Sequence, residues 1–177
     1  MTTLPRTQTP VVAVVMGSAS DYGVMKSTAS VLADFDIPHE VRVISAHRTP
    51  DVAHAFCTGA KDRGLKLIIA AAGKAAHLAG VLAASTTIPV IGVPIKTSDL
   101  GGVDSLLSMV QMPAGIPVGT VAIGEAGAKN AAYFAVAILA LSDMTLAGKL
   151  EDYRRKMAEE VRQADEKVRN EHRLETL

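Results

Sequence analysis

The chain has 177 residues, 49% of them hydrophobic, with Lys plus Arg and Asp plus Glu equal at 18 each. That length suits one compact domain with a real core, and zero net charge argues against a nucleic-acid binder, whose footprint is basic. Aromatic residues are 3%, too few for a base-stacking platform, no apolar run is long enough to cross a membrane, and the single Cys57 points to a reducing compartment, the cytoplasm.

Residues 1–10 read as a disordered lead-in that lacks the apolar centre of a secretory signal. Residues 11–16 (VVAVVM) form a continuous β-branched run, the pattern of a strand buried on both faces, and end at Gly17-Ser18. Ser20-Asp21 then supplies an N-cap for a helix over about 22–35, closed by Asp36-Ile37-Pro38. Residues 39–45 alternate as a second strand. Thr49-Pro50 opens a helix to about residue 63, with Pro in its first turn and Gly64 as a C-cap candidate.

A third strand is expected over 65–71, a small-residue helix over 75–85, a fourth strand over 89–93 and a helix over 104–112. A fifth strand over 118–123 and an Ala-rich helix over 126–141 complete the pattern. Strands alternating with helices imply βαβ units. The expected fold is α/β: a three-layer sandwich with a parallel sheet of about five strands, flavodoxin-like or Rossmann-like, built as a single domain over 11–144. Ligands in such sheets bind beyond the carboxyl ends of the strands, which singles out the loops there. Residues 145–177 carry eight basic and eight acidic residues around one apolar stripe that includes Leu146, Leu150, Tyr153, Met157 and Val161. This is a long C-terminal helix, either lying on its own domain or packing as an arm on a neighbouring subunit.

Three loops hold candidate chemistry. Gly17 to Asp21 ends a strand and opens a helix, so it is either a plain N-cap or an anion site built from N–H groups and hydroxyls. Asp21 suits the cap or the hydroxyls of a ribose, and its oxygens cannot fully serve both. The second loop, Ser45 to Pro50, contains His47, a candidate general acid or base, and Arg48, whose planar fork fits phosphate. The bland reading makes both surface residues that cap local carbonyls. In the third loop, small residues around Gly73 permit close approach of a ligand. There His77 either donates into the site or packs in a helix turn, and Lys74 is expected in solvent. The histidine spacings fit no zinc site, no nucleophile elbow occurs, and Cys57 reads as packing.

The segments MGSASD (16–21), SAHRTP (45–50), AAHLAG (75–80), DSLLSMVQMPAGIPVGTVAIG (104–124) and AGAKNAA (126–132) together resemble one family closely. It is the N5-carboxyaminoimidazole ribonucleotide mutases, class I of the AIR carboxylase family of purine biosynthesis. The resemblance implies transfer of a carboxylate from the exocyclic nitrogen to ring carbon C4, through carbon dioxide held beside the ring, without metal or organic cofactor. It assigns proton transfer to His47 and substrate binding to Ser18, Asp21 and Arg48. Ser18 and Arg48 suit the 5′-phosphate and Asp21 the ribose, with Ser20, Ser45, Gly73 and His77 at the same rim. The implied partner is a small ribonucleotide, not nucleic acid or membrane. The implied assembly is a homo-octamer with C-terminal helices packing between subunits.

The third loop departs from the family pattern AGAGGAAHLPGM. Residues 70–81 read AAAGKAAHLAGV, with Ala71 and Lys74 replacing glycines, Ala79 a proline and Val81 a methionine. A basic residue near position 74 resembles the class II enzymes, which carboxylate aminoimidazole ribonucleotide directly. Direct carboxylation, or a non-catalytic nucleotide-binding paralogue, are therefore the alternatives to the mutase.

Overall fold

The computed structural model describes residues 9–175, so most of the expected lead-in and the last two residues of the C-terminal arm lie outside the described residues. Five parallel strands, β1 (Val12–Met16), β2 (His39–Val43), β3 (Leu67–Gly73), β4 (Val90–Ile95) and β5 (Gly119–Thr120), form one sheet in the order β2-β1-β3-β4-β5. This is the flavodoxin-like order. The helices are α1 (Tyr22–Asp34), α2 (Pro50–Thr58), α3 (Leu78–Ala84), α4 (Val103–Val110), α5 (Glu125–Ala140) and α6 (Met144–Glu175). A single 3-10 turn, Ala19–Asp21, precedes α1.

Every residue of β1 and β4 is buried, as is all of β3 except Gly73. Central strands hidden on both faces require a helical layer on each side, which is why they read as unbroken apolar runs. On one side α1 and α5 meet: the fully buried Thr28 donates its hydroxyl to the Ala128 carbonyl at 2.8 Å, and Phe35 and Tyr133 pack edge to face. The outermost strand β2 is half-buried to exposed and carries charge, with Glu40 accepting from Arg63 at 2.7 Å. Charges of this kind protect an open sheet edge. Cys57 is buried in α2, and burial pushes its thiol up to about 11.

Three elements differ by more than two residues at one end from the sequence reading. The helix expected to residue 63 stops at Thr58, and the chain passes through turns to Gly64 at φ +87°. The strand expected over 118–123 pairs only at Gly119 and Thr120. Val121 still donates to the Gly92 carbonyl, but Pro94, which faces the same side of β4, has no N–H to continue the ladder. The helix expected from residue 75 begins at Leu78, because Lys74 takes the left-handed conformation at φ +59° and His77 N–H turns back to the Ala75 carbonyl.

The end of β4 is pinned by α4. Ser105 is fully buried and donates to the Ile95 carbonyl at 2.9 Å. Gly102 opens α4 at φ +94°, where a β-carbon would stand 2.7 Å from Ile123 Cγ2 and 3.1 Å from Lys96 Cα. The chain divides into two compact units, with the break after Ala135, inside α5. The second unit comprises the end of α5 and the charged helix α6.

Gly127 lies in α5, where Ala is intrinsically better by about 1 kcal/mol. A β-carbon there would run into the Ala122 carbonyl oxygen. Gly127→Ala is therefore expected to reverse the propensity and destabilise the protein by roughly 1–3 kcal/mol in urea unfolding. A neutral or stabilising result would refute that packing.

Candidate active site

Four of the strand ends feed one cleft of about 420 Å³, and three of them carry the residues nominated from the sequence. Ser18, Ser20 and Asp21 follow β1, Ser45, His47 and Arg48 follow β2, and Gly73 and His77 follow β3; all of them line it. Every site residue nominated from the sequence is thus brought to one place.

The first loop is a network of short side chains. Ser18 is extended, and its oxygen accepts from Ser20 N–H at 3.3 Å and from the Ser20 hydroxyl at 2.8 Å. Ser18 therefore caps the 3-10 turn. Asp21, the residue at the N-cap of α1, makes no side-chain capping bond. Its carboxylate is buried and accepts from the Ser20 hydroxyl at 3.3 Å. Burial raises the Asp21 carboxyl above its ordinary range, against the smaller lowering effect of the bonds from Ser20 and the Ser18 backbone. Of the two roles open to Asp21, the cap is the one the fold leaves unused.

The second loop is tied in a knot. Thr49 accepts from Ser45 N–H at 3.1 Å and donates back to the Ser45 carbonyl at 3.0 Å. The Ser45 hydroxyl accepts from Arg48 N–H at 3.2 Å and from Arg48 Nε at 3.3 Å. Arg48 Nη2 donates to the Gly17 carbonyl at 3.0 Å, which ties the second loop to the first. The guanidinium is held at the cleft by these bonds and keeps further N–H donors for an anion.

The third loop meets the second through two imidazoles. His47 Nε2 and His77 Nδ1 are 2.9 Å apart, with rings 5.0 Å between centroids and nearly perpendicular. One hydrogen occupies that contact, so one ring donates and the other accepts. The late start of α3 leaves His77 at the mouth of the cleft, where a helix over 75–85 would have enclosed it in a turn.

Lys74 lines the rim, and its side chain is 68% exposed. Its ammonium lies 2.7 Å from Asp99, which raises the Lys74 pKa and lowers that of Asp99. The expectation of a solvent-facing lysine omitted this partner. Thr97, on the loop after β4, also lines the cleft, as do Ala46, Ala72, Ala75 and Leu78. No sequence signal points to Thr97, because a lone threonine in a loop carries none.

Among the described residues no group of three or more His, Cys, Asp or Glu is placed to hold a metal, and no helix is long and apolar enough to cross a membrane.

The family model described as AIR carboxylase matches residues 11–160. The N5-carboxyaminoimidazole ribonucleotide mutase of Escherichia coli K12 is 53% identical over 150 residues, 85% of this chain and 89% of that one. The protein of the same name from Pyrococcus abyssi is 57% identical over 148 residues, 84% of each chain. A crystal structure of Treponema denticola PurE superposes with a TM-score of 0.81 at 31% identity, covering 89% of this chain and 98% of that one. The fold superposes on that structure, the family match runs through all three cleft loops, and the chain belongs to the AIR carboxylase family.

Proposed function

We propose that this protein is an N5-carboxyaminoimidazole ribonucleotide mutase of purine biosynthesis, moving the carboxylate from the exocyclic nitrogen to C4 of the aminoimidazole ring. The activity is the one named for relatives sharing 53–57% identity over most of both chains. The observation that carries the mechanism is the 2.9 Å contact between His47 and His77 in a cleft that also holds Ser18, Asp21 and Arg48.

Protonated His47 gives its proton to the exocyclic nitrogen as the N–C bond breaks, which releases carbon dioxide and leaves a neutral amine. The electron-rich C4 attacks the carbon dioxide, and a C–C bond forms. His47 then takes the C4 proton, restoring the aromatic ring and its own starting state. One imidazole closes the proton cycle, and His77 orients it by accepting or donating at Nδ1. Ala72, Gly73 and Ala75 make a small-residue wall against which carbon dioxide stays beside the ring. Arg48 and Ser18 bind the 5′-phosphate, Asp21 the ribose hydroxyls, and Ser20 and Ser45 hold those groups in place.

The enzyme works in the cytoplasm as a homo-octamer. Val103, Leu107 and Val110 form an apolar face on α4 that is about half exposed at each residue, and Met157, Val161 and Val168 are exposed on α6. Apolar faces of this kind suit subunit contacts, with α6 packing between chains. Light scattering should give eight chain masses; a monomer or dimer would refute the assembly.

The deciding experiment offers purified protein either the N5-carboxylated ribonucleotide or aminoimidazole ribonucleotide with carbon dioxide and bicarbonate. Turnover is expected from the first. Turnover only from the second would make the chain a direct carboxylase and Lys74 the first residue to change. His47→Asn should cost about 10²-fold or more in kcat with ligand affinity kept. Arg48→Ala should chiefly weaken binding, and an unchanged Kd would remove it from the phosphate site. Silence with both substrates while ligand still binds would indicate a non-catalytic paralogue.

Asp21 adds a pH dependence. Its carboxyl titrates higher folded than unfolded, so ionising it costs stability as pH rises through the folded pKa. Asp21→Asn is expected to melt higher than wild type near neutral pH, and the gap should close as pH falls and wild-type Asp21 takes up its proton. The same variant should bind nucleotide more weakly. A lower melting temperature at neutral pH would show that the carboxylate stabilises the free protein.

A further inference from the structure

One polar atom beside the cleft has no partner in the fold. Thr97 follows β4 on the loop that carries Asp99, and it lines the cleft. Its Oγ1 is hidden from solvent and makes no hydrogen bond among the described residues. Its methyl Cγ2 lies 3.0 Å from where a β-carbon on Gly73 would stand. The other such oxygen, Asp104 Oδ1, does not line the cleft.

A buried hydroxyl without a partner destabilises the protein by the hydration it has lost. The surroundings nonetheless hold Thr97 in place. The Lys74–Asp99 pair ties its loop to the loop after β3, and Ser105 ties the end of β4 to α4. Gly73 is the residue that makes room for it. Oγ1 and Cγ2 hang from the same carbon, so a χ1 step of about 120° exchanges hydroxyl for methyl at the wall beside Gly73.

Place in the sheet says which part of a ligand that hydroxyl would meet. β4 lies beyond β3 from β1 and β2. Thr97 is therefore on the Gly73 side of the cleft, across from Ser18 and Arg48. With a phosphate on Ser18 and Arg48, the base end of a ribonucleotide extends toward Gly73.

Resting on the mutase reading above, we propose that Thr97 is a further substrate-binding residue, whose hydroxyl turns into the cleft and donates to the carboxylate on the aminoimidazole. The price of leaving it unpaired in the free protein is recovered when substrate supplies the acceptor.

Thr97→Val keeps the shape and removes the hydroxyl, whereas Thr97→Ser keeps the hydroxyl. Steady-state kinetics with the N5-carboxylated ribonucleotide and thermal melting without ligand are measured on both and on wild type. The valine variant should raise KM about tenfold or more, as for a lost hydrogen bond to a charged group, with kcat within about twofold. It should melt no lower than wild type. The serine variant should keep KM within about twofold of wild type. An unchanged KM in the valine variant overturns the proposal, and a lower melting temperature with unchanged KM assigns the hydroxyl to the fold instead. Absence of wild-type turnover overturns the mutase reading separately. Calorimetric binding of the C4-carboxylated ribonucleotide then decides Thr97, with equal affinity in wild type and valine variant counting against it.

Discussion

β1, β3 and β4 run parallel in tight register, Met16 level with Ala71 and Ala71 level with Val93. That alignment sets where the loops begin, and β2 joins it with Val43 beside Met16. Small side chains in the middle of the sheet, Ala70, Ala71 and Gly92, let the helical layers close over it. The cleft depends on this arrangement. Arg48 reaches the Gly17 carbonyl, and His47 reaches His77 across the end of β1, only because residues far apart in sequence leave the same edge of one sheet.

The cleft is also where the fold departs from its own stability rules. Asp21 keeps a buried carboxylate that neither caps its helix nor pairs with a cation. Thr97 keeps a hydroxyl without an acceptor, and Lys74 holds a left-handed backbone that glycine adopts without cost. Such departures cluster where a ligand completes the structure. Outside the cleft, the buried hydroxyls of Thr28 and Ser105 both have carbonyl acceptors, while Asp104 Oδ1 has no partner among the described residues and Asp36 takes a left-handed backbone.

Lys74 shows how a local change is absorbed. Position 74 takes a glycine-like φ while carrying a long cation. The ammonium is taken up by Asp99 on the next loop, so the added charge bridges two loops at the rim. That bridge depends on a residue twenty-five positions away, which no reading of the third loop alone contains.

Periodicity by itself determined the order of strands and helices, the parallel sheet and the long charged terminal helix, because burial on two faces, on one face and on a stripe leaves distinct residue patterns. The loops with site residues were legible for a related reason: an α/β sheet places ligands at one known edge. The tertiary structure alone decided the rest. Where α3 starts depends on the turn at Lys74 and Ala75, and where β5 stops depends on Pro94 in a different strand. That Asp21 stands at the start of α1 without capping it depends on the 3-10 turn that Ser18 caps just before it. The His47–His77 pair and the stranded hydroxyl of Thr97 are contacts between distant segments, and a one-dimensional pattern records which residues a segment contains, not which partners the fold brings to it.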